Sequence, residues 1–390
     1  MKELILAQDN STALPYASEV KGITDLRETI SQVSTTSLLD VVFAGAINTN
    51  ASDIHIEPIA NNCRLRLRID GVLQDISTLP FESYKKIVSR VKYLAKLKLD
   101  VVNLPQDGRF QFAVADEQID VRVSTLPTAY GELLEMRLLR SKAILLKLDQ
   151  LGFAAETIAE IKNAATAPNG IIFSVGPTGS GKTTTLYAIL NHLNKSNVKI
   201  ITLEDPIEYK IAGIDQSQIE PSKGYTFSKG LRAALRQDPD ILMVGEVRDA
   251  ETAQIALHSA LTGHLVLSSL HVNSASAALP TLIEMGVPTY LLAGCINLIV
   301  AQRLVRKFCQ KCGGKGCEIC HLTGYLGRTA ISEVLQSSAK IEELIARKSS
   351  LREFEQAARL QGMKTMLEDG MDKVKAGITS EEEVRRVTRD

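Results

Sequence analysis

The sequence contains no tryptophan, few cysteines and no excess of charge of either sign. Six cysteines among 390 residues are too few for a disulfide-rich scaffold. The 45 basic and 45 acidic residues cancel, so no global field favours a nucleic acid or an anionic membrane as a partner. Only 9 tyrosines and 9 phenylalanines are present, which is little for the base stacking used in single-stranded nucleic-acid binding. No stable nucleic-acid partner is therefore expected.

Long apolar runs are absent as well. No run approaches the roughly 20 residues that a membrane-spanning helix needs. The segment from Met1 to Asn10 lacks the cationic region and long apolar stretch of a signal peptide. The expected location is therefore the cytoplasm, and a chain with 45% apolar content can fill two or three domain cores.

The first part of the chain has the alternating pattern of antiparallel strands. In Cys63–Ile69 charged and apolar residues alternate, and the tight turn Asp70-Gly71 leads into a second strand at Val72–Ile76. A lysine-rich amphipathic helix is predicted over Glu82–Leu99. Further alternating strands are predicted at Phe110–Val114, Gln118–Ser124 and Glu132–Leu139. The pattern indicates a small α+β domain with an antiparallel sheet.

The second part of the chain has short, continuous apolar runs separated by segments of helix length. Such runs are typical of a parallel sheet that is covered by helices on both faces. The predicted strands are Ile171–Val175, Lys199–Leu203, Ile241–Val244 and Leu265–Ser269.

A phosphate-binding loop follows the first of these strands. Residues 176–183 read GPTGSGKT, a full match to G-x4-G-K-[ST] placed between a strand and a helix. Backbone N–H groups of such a loop surround a phosphate, Lys182 reaches the β and γ oxygens, and the Thr183 hydroxyl coordinates Mg²⁺. The sequence therefore predicts an ATP–Mg²⁺ site formed by Gly176, Pro177, Thr178, Gly179, Ser180, Gly181, Lys182, Thr183 and Thr184.

Acidic residues follow two of the other predicted strands, where carboxylates can hold Mg²⁺ and orient water. Glu204 follows KIITL and is predicted to be the general base or water-positioning residue. Glu246 follows ILMV and Gly245, and it is predicted to bind Mg²⁺ through water. A functional role and a solvated loop position remain equally open for Asp205, Glu208 and Asp249.

Two histidines flank the last predicted strand of the sheet. His264 precedes this strand and His271 follows it. Each is a candidate sensor of the γ-phosphate, and a buried structural histidine is the alternative for both.

Four of the six cysteines lie within twelve positions, as C-x2-C-x4-C-x2-C. Four thiolates are enough for a closed tetrahedral Zn²⁺ site, which would be structural because no coordination position stays open. An iron–sulfur site and redox-active thiols remain the alternatives. The predicted zinc ligands are Cys309, Cys312, Cys317 and Cys320.

These motifs together resemble those of the secretion ATPase family, which includes type II secretion motors and the ATPases that extend type IV pili. GPTGSGKTTTLYA, ITLEDPIEY, GEVRD and GHLVLSSLHVNSA are similar to the family's nucleotide motifs and follow in the same order. The resemblance covers residues 35–390 and includes ASDIHIEP at 51–58, RLRIDGVL at 66–73, PQDGRF at 105–110, VRVSTLP at 121–127 and GYLGRTAISEVL at 324–335.

The resemblance implies a RecA-like ATPase domain, a preceding small domain and a ring of six identical chains. It also implies a platform protein of the inner membrane as partner, with which the ATPase associates peripherally. Arg109 and Arg122 match family positions that face the nucleotide, where arginine stabilises charge on the γ-phosphate. The arginines at 64, 66 and 68 fit a solvated strand face equally well.

The predicted function is ATP hydrolysis that powers pilus or pseudopilus assembly. The alternatives are a RecA-like ring that translocates DNA and an assembly scaffold that binds ATP without hydrolysing it. The joint presence of Lys182, Thr183, Glu204 and Glu246 disfavours the scaffold. The predicted catalytic residues are Lys182, Glu204, Glu246, Arg109 and Arg122.

These interpretations divide the chain into four parts. The predicted parts are an N-terminal tail at 1–34, a small α+β domain at 35–140, a linker at 141–152, and a RecA-like ATPase domain at 153–390 that includes the cysteine segment 309–320 and C-terminal helices at 337–390.

Overall fold

The structure is a computed structural model, and it describes residues 16–114, 117–140 and 146–389. Their contacts divide into two compact units. The first unit contains the described residues up to 140 together with Phe308–Gly327, and the second contains the remainder. No helix among the described residues is long and apolar enough to cross a membrane. The domain limits predicted from sequence remain a prediction. They assign the cysteine segment 309–320 to the ATPase domain, whereas the contacts of this segment in the structure assign it to the first unit.

The strands are β1 Asp53–Pro58, β2 Asn62–Ile69, β3 Val72–Pro80, β4 Gln106–Val114, β5 Glu117–Thr128, β6 Gly131–Arg140, β7 Gly170–Val175, β8 Ile200–Glu204, β9 Asp215–Gln218, β10 Ile241–Val244, β11 Leu265–Leu270, β12 Ile296–Phe308 and β13 Tyr325–Gln336. The α-helices are α1 Ile23–Gln32, α2 Leu38–Asn48, α3 Phe81–Leu94, α4 Ala155–Ala165, α5 Lys182–Leu193, α6 Phe227–Ala234, α7 Ala250–Leu261, α8 Ala278–Glu284, α9 Thr289–Cys295, α10 Ala339–Ala346, α11 Leu351–Leu360, α12 Met366–Lys375 and α13 Glu381–Thr388. Short 3₁₀ turns lie at Leu148–Gln150, Pro221–Lys223, Leu235–Gln237 and Glu318–Cys320.

The first unit contains an antiparallel sheet with strand order β3-β2-β1-β6-β5-β4. Alternate residues of its strands are buried, as Leu65, Leu67 and Ile69 are in β2. They share one hydrophobic core with α2, where Phe43 packs against Phe110 and Phe112. The predicted α+β unit with an antiparallel sheet is confirmed.

Helix α3 ends earlier than the pattern predicted. The prediction ran to Leu99, whereas the helix ends at Leu94 because the backbone turns into the left-handed region at Lys96, with φ of 57°. Lys92 then fixes the following loop, since its buried Nζ donates to Val101 O at 2.8 Å and to the Glu132 carboxylate at 2.8 Å. These contacts are distant in sequence, and helical periodicity does not reveal them.

The second unit contains a sheet with strand order β13-β12-β7-β11-β10-β8-β9. Its strands from β12 to β9 are paired in parallel. Helices cover both faces, and the core includes fully buried Phe173 from β7 on one face and Tyr187 from α5 on the other. The predicted RecA-like α/β class is confirmed. Strands β9, β12 and β13 were not predicted, and β9 is polar throughout, with the sequence DQSQ.

The C-terminal helix α13 is fixed to the sheet through one buried carboxylate. The side chain of Glu383 is 2% exposed. It accepts hydrogen bonds from the Arg306 backbone N–H at 3.2 Å, from the Arg306 guanidinium at 2.6 Å and from Arg386 at 2.8 Å. Burial alone would raise the pKa of Glu383, but the two arginines outweigh it and lower the pKa to about 2.

We expect Glu383→Gln to lower the free energy of unfolding at pH 7 by about 1–3 kcal/mol, because the amide keeps the size of the side chain but loses the charge that the arginines require. The folded-state pKa lies below the unfolded value of roughly 4.3, so this contribution is complete above that value and is lost as pH falls toward 2. Urea denaturation at pH 7 and pH 3 measures it. A gap between wild type and variant that is equally large at both pH values would contradict the expectation.

Candidate active site

The phosphate-binding loop lies where the sequence places it, between β7 and α5. Gly176, Gly179 and Gly181 have φ values of 145°, 77° and 93°, which side chains rarely tolerate. A Cβ at Gly176 would also lie only 2.6 Å from the backbone oxygen of Gln302 in β12. Glycine is therefore required at the start of the loop both by its conformation and by this close approach.

The side chain of Lys182 is held inside the loop. Its Nζ donates to Gly176 O at 2.7 Å and to Pro177 O at 3.0 Å. Burial lowers the pKa of Lys182 to about 8, and the nearby Glu246 carboxylate opposes this shift. A buried ammonium group stabilised mainly by carbonyl oxygens is suited to accept an anion as an additional partner.

The remaining polar groups of the loop also fit a phosphate ligand. Ser180 is 3% exposed, and within the described part of the chain its Oγ has no hydrogen-bond partner. Thr183 is exposed on the first turn of α5, where its hydroxyl would reach a Mg²⁺ ion bound with the phosphates. An orphaned buried hydroxyl, a buried ammonium and a helix N-terminus together fit ATP–Mg²⁺.

Glu246 and His271 meet next to Lys182 at the carboxyl ends of β10 and β11. The Glu246 side chain is 13% exposed, and its carboxylate contacts Arg248 at 2.5 Å and His271 Nε2 at 3.5 Å. The pKa of His271 is lowered by burial and by Lys182, and Glu246 opposes this shift. The structure therefore brings together three of the predicted site residues from three separate strand ends.

Glu204 lies at the end of the neighbouring strand β8 but is buried, with 3% exposure. Its carboxylate accepts hydrogen bonds from Tyr187 OH, from Thr202 Oγ1 at 2.6 Å and from Gln216 Nε2 at 3.0 Å. Three protein donors therefore engage this buried carboxylate, on α5, β8 and β9. This environment differs from the exposed carboxylate expected of a general base.

His264 lies at the opposite edge of the sheet from the phosphate-binding loop. It precedes β11, which runs parallel to β7 in the register Leu265↔Gly170, and its Nδ1 lies 3.0 Å from Ser259 O. The length of β11 separates it from His271 by roughly 20 Å. The placement of His264 thus does not support the expectation that it belongs to the nucleotide site. Its contact with Ser259 O favours the alternative, a structural histidine.

Each of the three acids left open by the sequence interacts with neighbouring residues in the structure. Asp249 caps α7, since its Oδ1 accepts from Thr252 N at 2.8 Å. Asp205 interacts electrostatically with Arg248, and Glu208 with Tyr187 and Tyr209. The cap on α7 favours a structural role for Asp249.

Sequence reasoning missed Gln302, which contacts the phosphate-binding loop from β12. This residue is 1% exposed, and its Nε2 donates to Ser180 O at 2.8 Å. Its Oε1 accepts from Thr185 Oγ1 at 2.7 Å. The available signal was the amide that follows the apolar run LIVA in β12, since a buried polar side chain requires partners.

The two predicted arginines of the first unit lie directly opposite each other in its sheet. Arg109 of β4 pairs with Arg122 of β5, which pairs in turn with Arg137 of β6. Arg137 donates to Asp53 of β1 at 2.7 Å. Like charges directly opposite each other repel, and the charge of Arg137 is offset by Asp53 and by Glu135 at 3.4 Å.

The four cysteines of the predicted metal site converge. Their Sγ atoms all lie within 4.8 Å of one another, and three pairs are separated by 3.9, 3.7 and 3.7 Å. A tetrahedral zinc site with Zn–S bonds of ~2.3 Å requires sulfur separations of ~3.8 Å. Burial raises the pKa of Cys312, but the Gly316 N–H and the neighbouring thiols outweigh it and lower the pKa to about 7. The cluster can hold zinc as a structural ion.

The fold and the site define a P-loop ATPase with a RecA-like core. Residues 28–386 match the family model described as Type II/IV secretion system protein, and the chain belongs to this family. It is an ATP-hydrolysing motor protein of secretion and pilus assembly systems.

Three relatives illustrate the similarity. The type II secretion system protein E of Xanthomonas campestris pv. campestris is 44% identical, over 97% of this chain and 72% of its own length. The type IV pilus assembly ATPase PilB of Thermus thermophilus is 42% identical over 95% of this chain, which spans 44% of PilB. Among solved structures, the Legionella pneumophila ATPase DotB has a TM-score of 0.68 at 25% identity, covering 91% of this chain and 96% of DotB.

We expect Cys312→Ser to remove the metal and lower the melting temperature, because a structural site with three thiolates binds zinc less tightly. Elemental analysis should find about one zinc per wild-type chain and a lower content in the variant. Cys295→Ser is the matched control, since Cys295 is buried outside the cluster. Wild-type protein without stoichiometric metal would rule out the zinc site.

Proposed function

We propose that this chain hydrolyses ATP–Mg²⁺ to drive a type II secretion or type IV pilus assembly machine, acting on a platform protein of the inner membrane. The observation that carries the proposal is the convergence of Lys182, Glu246 and His271 at the end of the phosphate-binding loop. The relatives named above support the choice of machine. Peripheral association with the inner membrane would follow from binding to the platform protein.

Within the site, we assign the water-activating role to Glu246. Its carboxylate is partly exposed and lies beside Lys182, where the γ-phosphate would bind. Glu204 was the expected base, but three donors engage its buried carboxylate. Its role is then to fix α5 through Tyr187 and the end of β8, and Thr183 provides the Mg²⁺ ligand.

Glu246→Gln should bind ATP but lose most turnover, by about 10²–10⁴-fold, because an amide cannot accept the proton of the attacking water. Glu204→Gln should keep more activity and lose stability, since its partners Tyr187 and Thr202 remain but the charge is absent. Steady-state hydrolysis, nucleotide binding and thermal melting separate these effects.

Lys182→Ala is the control for loss of phosphate contact, and it should lack turnover while keeping its fold. If Glu204→Gln abolishes hydrolysis with normal binding while Glu246→Gln mainly changes the Mg²⁺ requirement, the two roles must be exchanged.

We further propose that six copies form a ring. Arg109 and Arg122 belong to the first unit, whereas the phosphate-binding loop belongs to the second. Arginines of a separate unit can stabilise the charge of the γ-phosphate only in a particular conformation of the chain. In a ring, neighbouring subunits can control when each chain adopts that conformation. Arg109 and Arg122 lie directly opposite each other on β4 and β5, and an anion bound between two such cations would reduce their repulsion.

Mixing wild-type chains with an Arg109→Ala, Arg122→Ala variant should lower wild-type activity beyond simple dilution, because inactive neighbours interrupt the ring. Hydrolysis is measured at constant total protein while the variant fraction increases. Turnover per chain should also increase with protein concentration as rings assemble. Linear dilution together with full activity of the monomer would contradict the ring proposal.

A further inference from the structure

The end of β12 runs beside the phosphate-binding loop. Strand β12 pairs in parallel with β7 up to Ala301↔Val175, so Gln302 comes next to Gly176, the first residue of the loop. Its backbone oxygen is the atom that a Cβ at Gly176 would approach to 2.6 Å. The main chain of Gln302 therefore borders the loop at the point where it leaves the sheet.

The side-chain amide of Gln302 joins three segments around the loop. Its Nε2 donates to the Ser180 carbonyl at 2.8 Å, inside the loop. Its Oε1 accepts from Thr185 Oγ1 of α5 at 2.7 Å and from Ser174 Oγ of β7 at 3.3 Å. One amide thus connects the strand before the loop, the loop and the helix after it.

The side chains of this hydrogen-bond network are buried, so their positions are fixed by their partners. Gln302, Thr185 and Ser174 are each 1% exposed, so none of their polar groups can exchange its partner for bulk water without opening the core. The Gln302 Nε2 would also lie 2.9 Å from a Cβ at Gly181, which leaves the loop no room to move toward β12. The backbone N–H groups that surround a phosphate lie in this same segment.

From these contacts we infer that Gln302 is a positioning residue of the ATPase site: its amide holds the phosphate-binding loop open in the conformation that binds nucleotide. This inference rests on the nucleotide-binding role proposed for the loop. Gln302 itself does not touch the phosphates, and it acts through the Ser180 carbonyl and the first turns of α5.

The same strand provides a matched control. Asn297 of β12 also joins this strand to its neighbour, since its Nδ2 donates to Asn169 O at 2.9 Å. Asn169 directly precedes β7, so this bond lies at the opposite edge of the sheet from the loop. Asn297→Leu removes a hydrogen bond between β12 and the start of β7, and Gln302→Leu removes those between β12 and the loop region, so only Gln302→Leu affects contacts of the nucleotide site.

The experiment measures the affinity of the full chain for ADP with Mg²⁺, which requires no turnover, together with the melting temperature without nucleotide. Gln302→Leu should raise the Kd for ADP about tenfold, the effect of one lost buried hydrogen bond. Both variants should lower the melting temperature, but Asn297→Leu should leave the Kd within about twofold of wild type.

Variants of Thr185 test the same network if Gln302→Leu fails to fold. Thr185→Val removes the donor to Gln302 Oε1 and should also weaken ADP binding, whereas Thr185→Ser keeps the hydroxyl and should restore it. An unchanged Kd in Gln302→Leu, or in Thr185→Val where the first variant does not fold, would overturn the inference. An equal loss of affinity in Asn297→Leu would do so too. Absence of ADP binding by the wild type would instead overturn the nucleotide site itself.

Discussion

The parallel direction of β7, β10 and β11 is the constraint on which the active site depends. Parallel strands end at the same edge of a sheet, so the loop after β7, Glu246 after β10 and His271 after β11 all meet there. No single segment of the chain brings these groups together. Helices cover both faces of the sheet and exclude water from the strands. The close packing fixes the position of each polar group at the carboxyl ends of the strands.

The same constraint explains why neighbouring carboxylates have different environments. Glu204 is the last residue of β8, so its side chain remains in the buried layer between α5 and the sheet, where Tyr187 and Thr202 bind it. Glu246 lies two residues beyond the end of β10, outside that layer. A difference of two positions relative to the strand end thus separates a carboxylate buried among three donors from one that is partly exposed.

Local signals in the sequence predicted the parts of the molecule that depend on neighbouring residues. The phosphate-binding loop, the buried strands and the paired cysteines are such features, because their spacing is itself the chemical requirement. Gln302 was not predicted, since its partner Ser180 is 122 positions away. The loop after α3 depends likewise on the contact between Lys92 and Glu132, which are 40 positions apart. The position of His264, by contrast, follows from the predicted parallel sheet. A residue that precedes a parallel strand lies at the opposite end of the sheet from a loop that follows a neighbouring strand.

The assignment of Phe308–Gly327 to the first unit has a consequence for how this protein can be divided experimentally. The chain passes from one unit to the other three times: between the described residues 140 and 146, after Lys307 and before Arg328. A fragment that ends near residue 140 therefore lacks part of its own unit, including the cysteine cluster and the hydrogen bond from Gly327 N to Asp70 Oδ2 at 2.8 Å. A protease cut in the stretch between residues 140 and 146 divides the chain into two peptides, and only Phe308–Gly327 of the first unit stays covalently joined to the second unit. The N-terminal peptide then depends on non-covalent contacts with Phe308–Gly327 to keep the first unit complete.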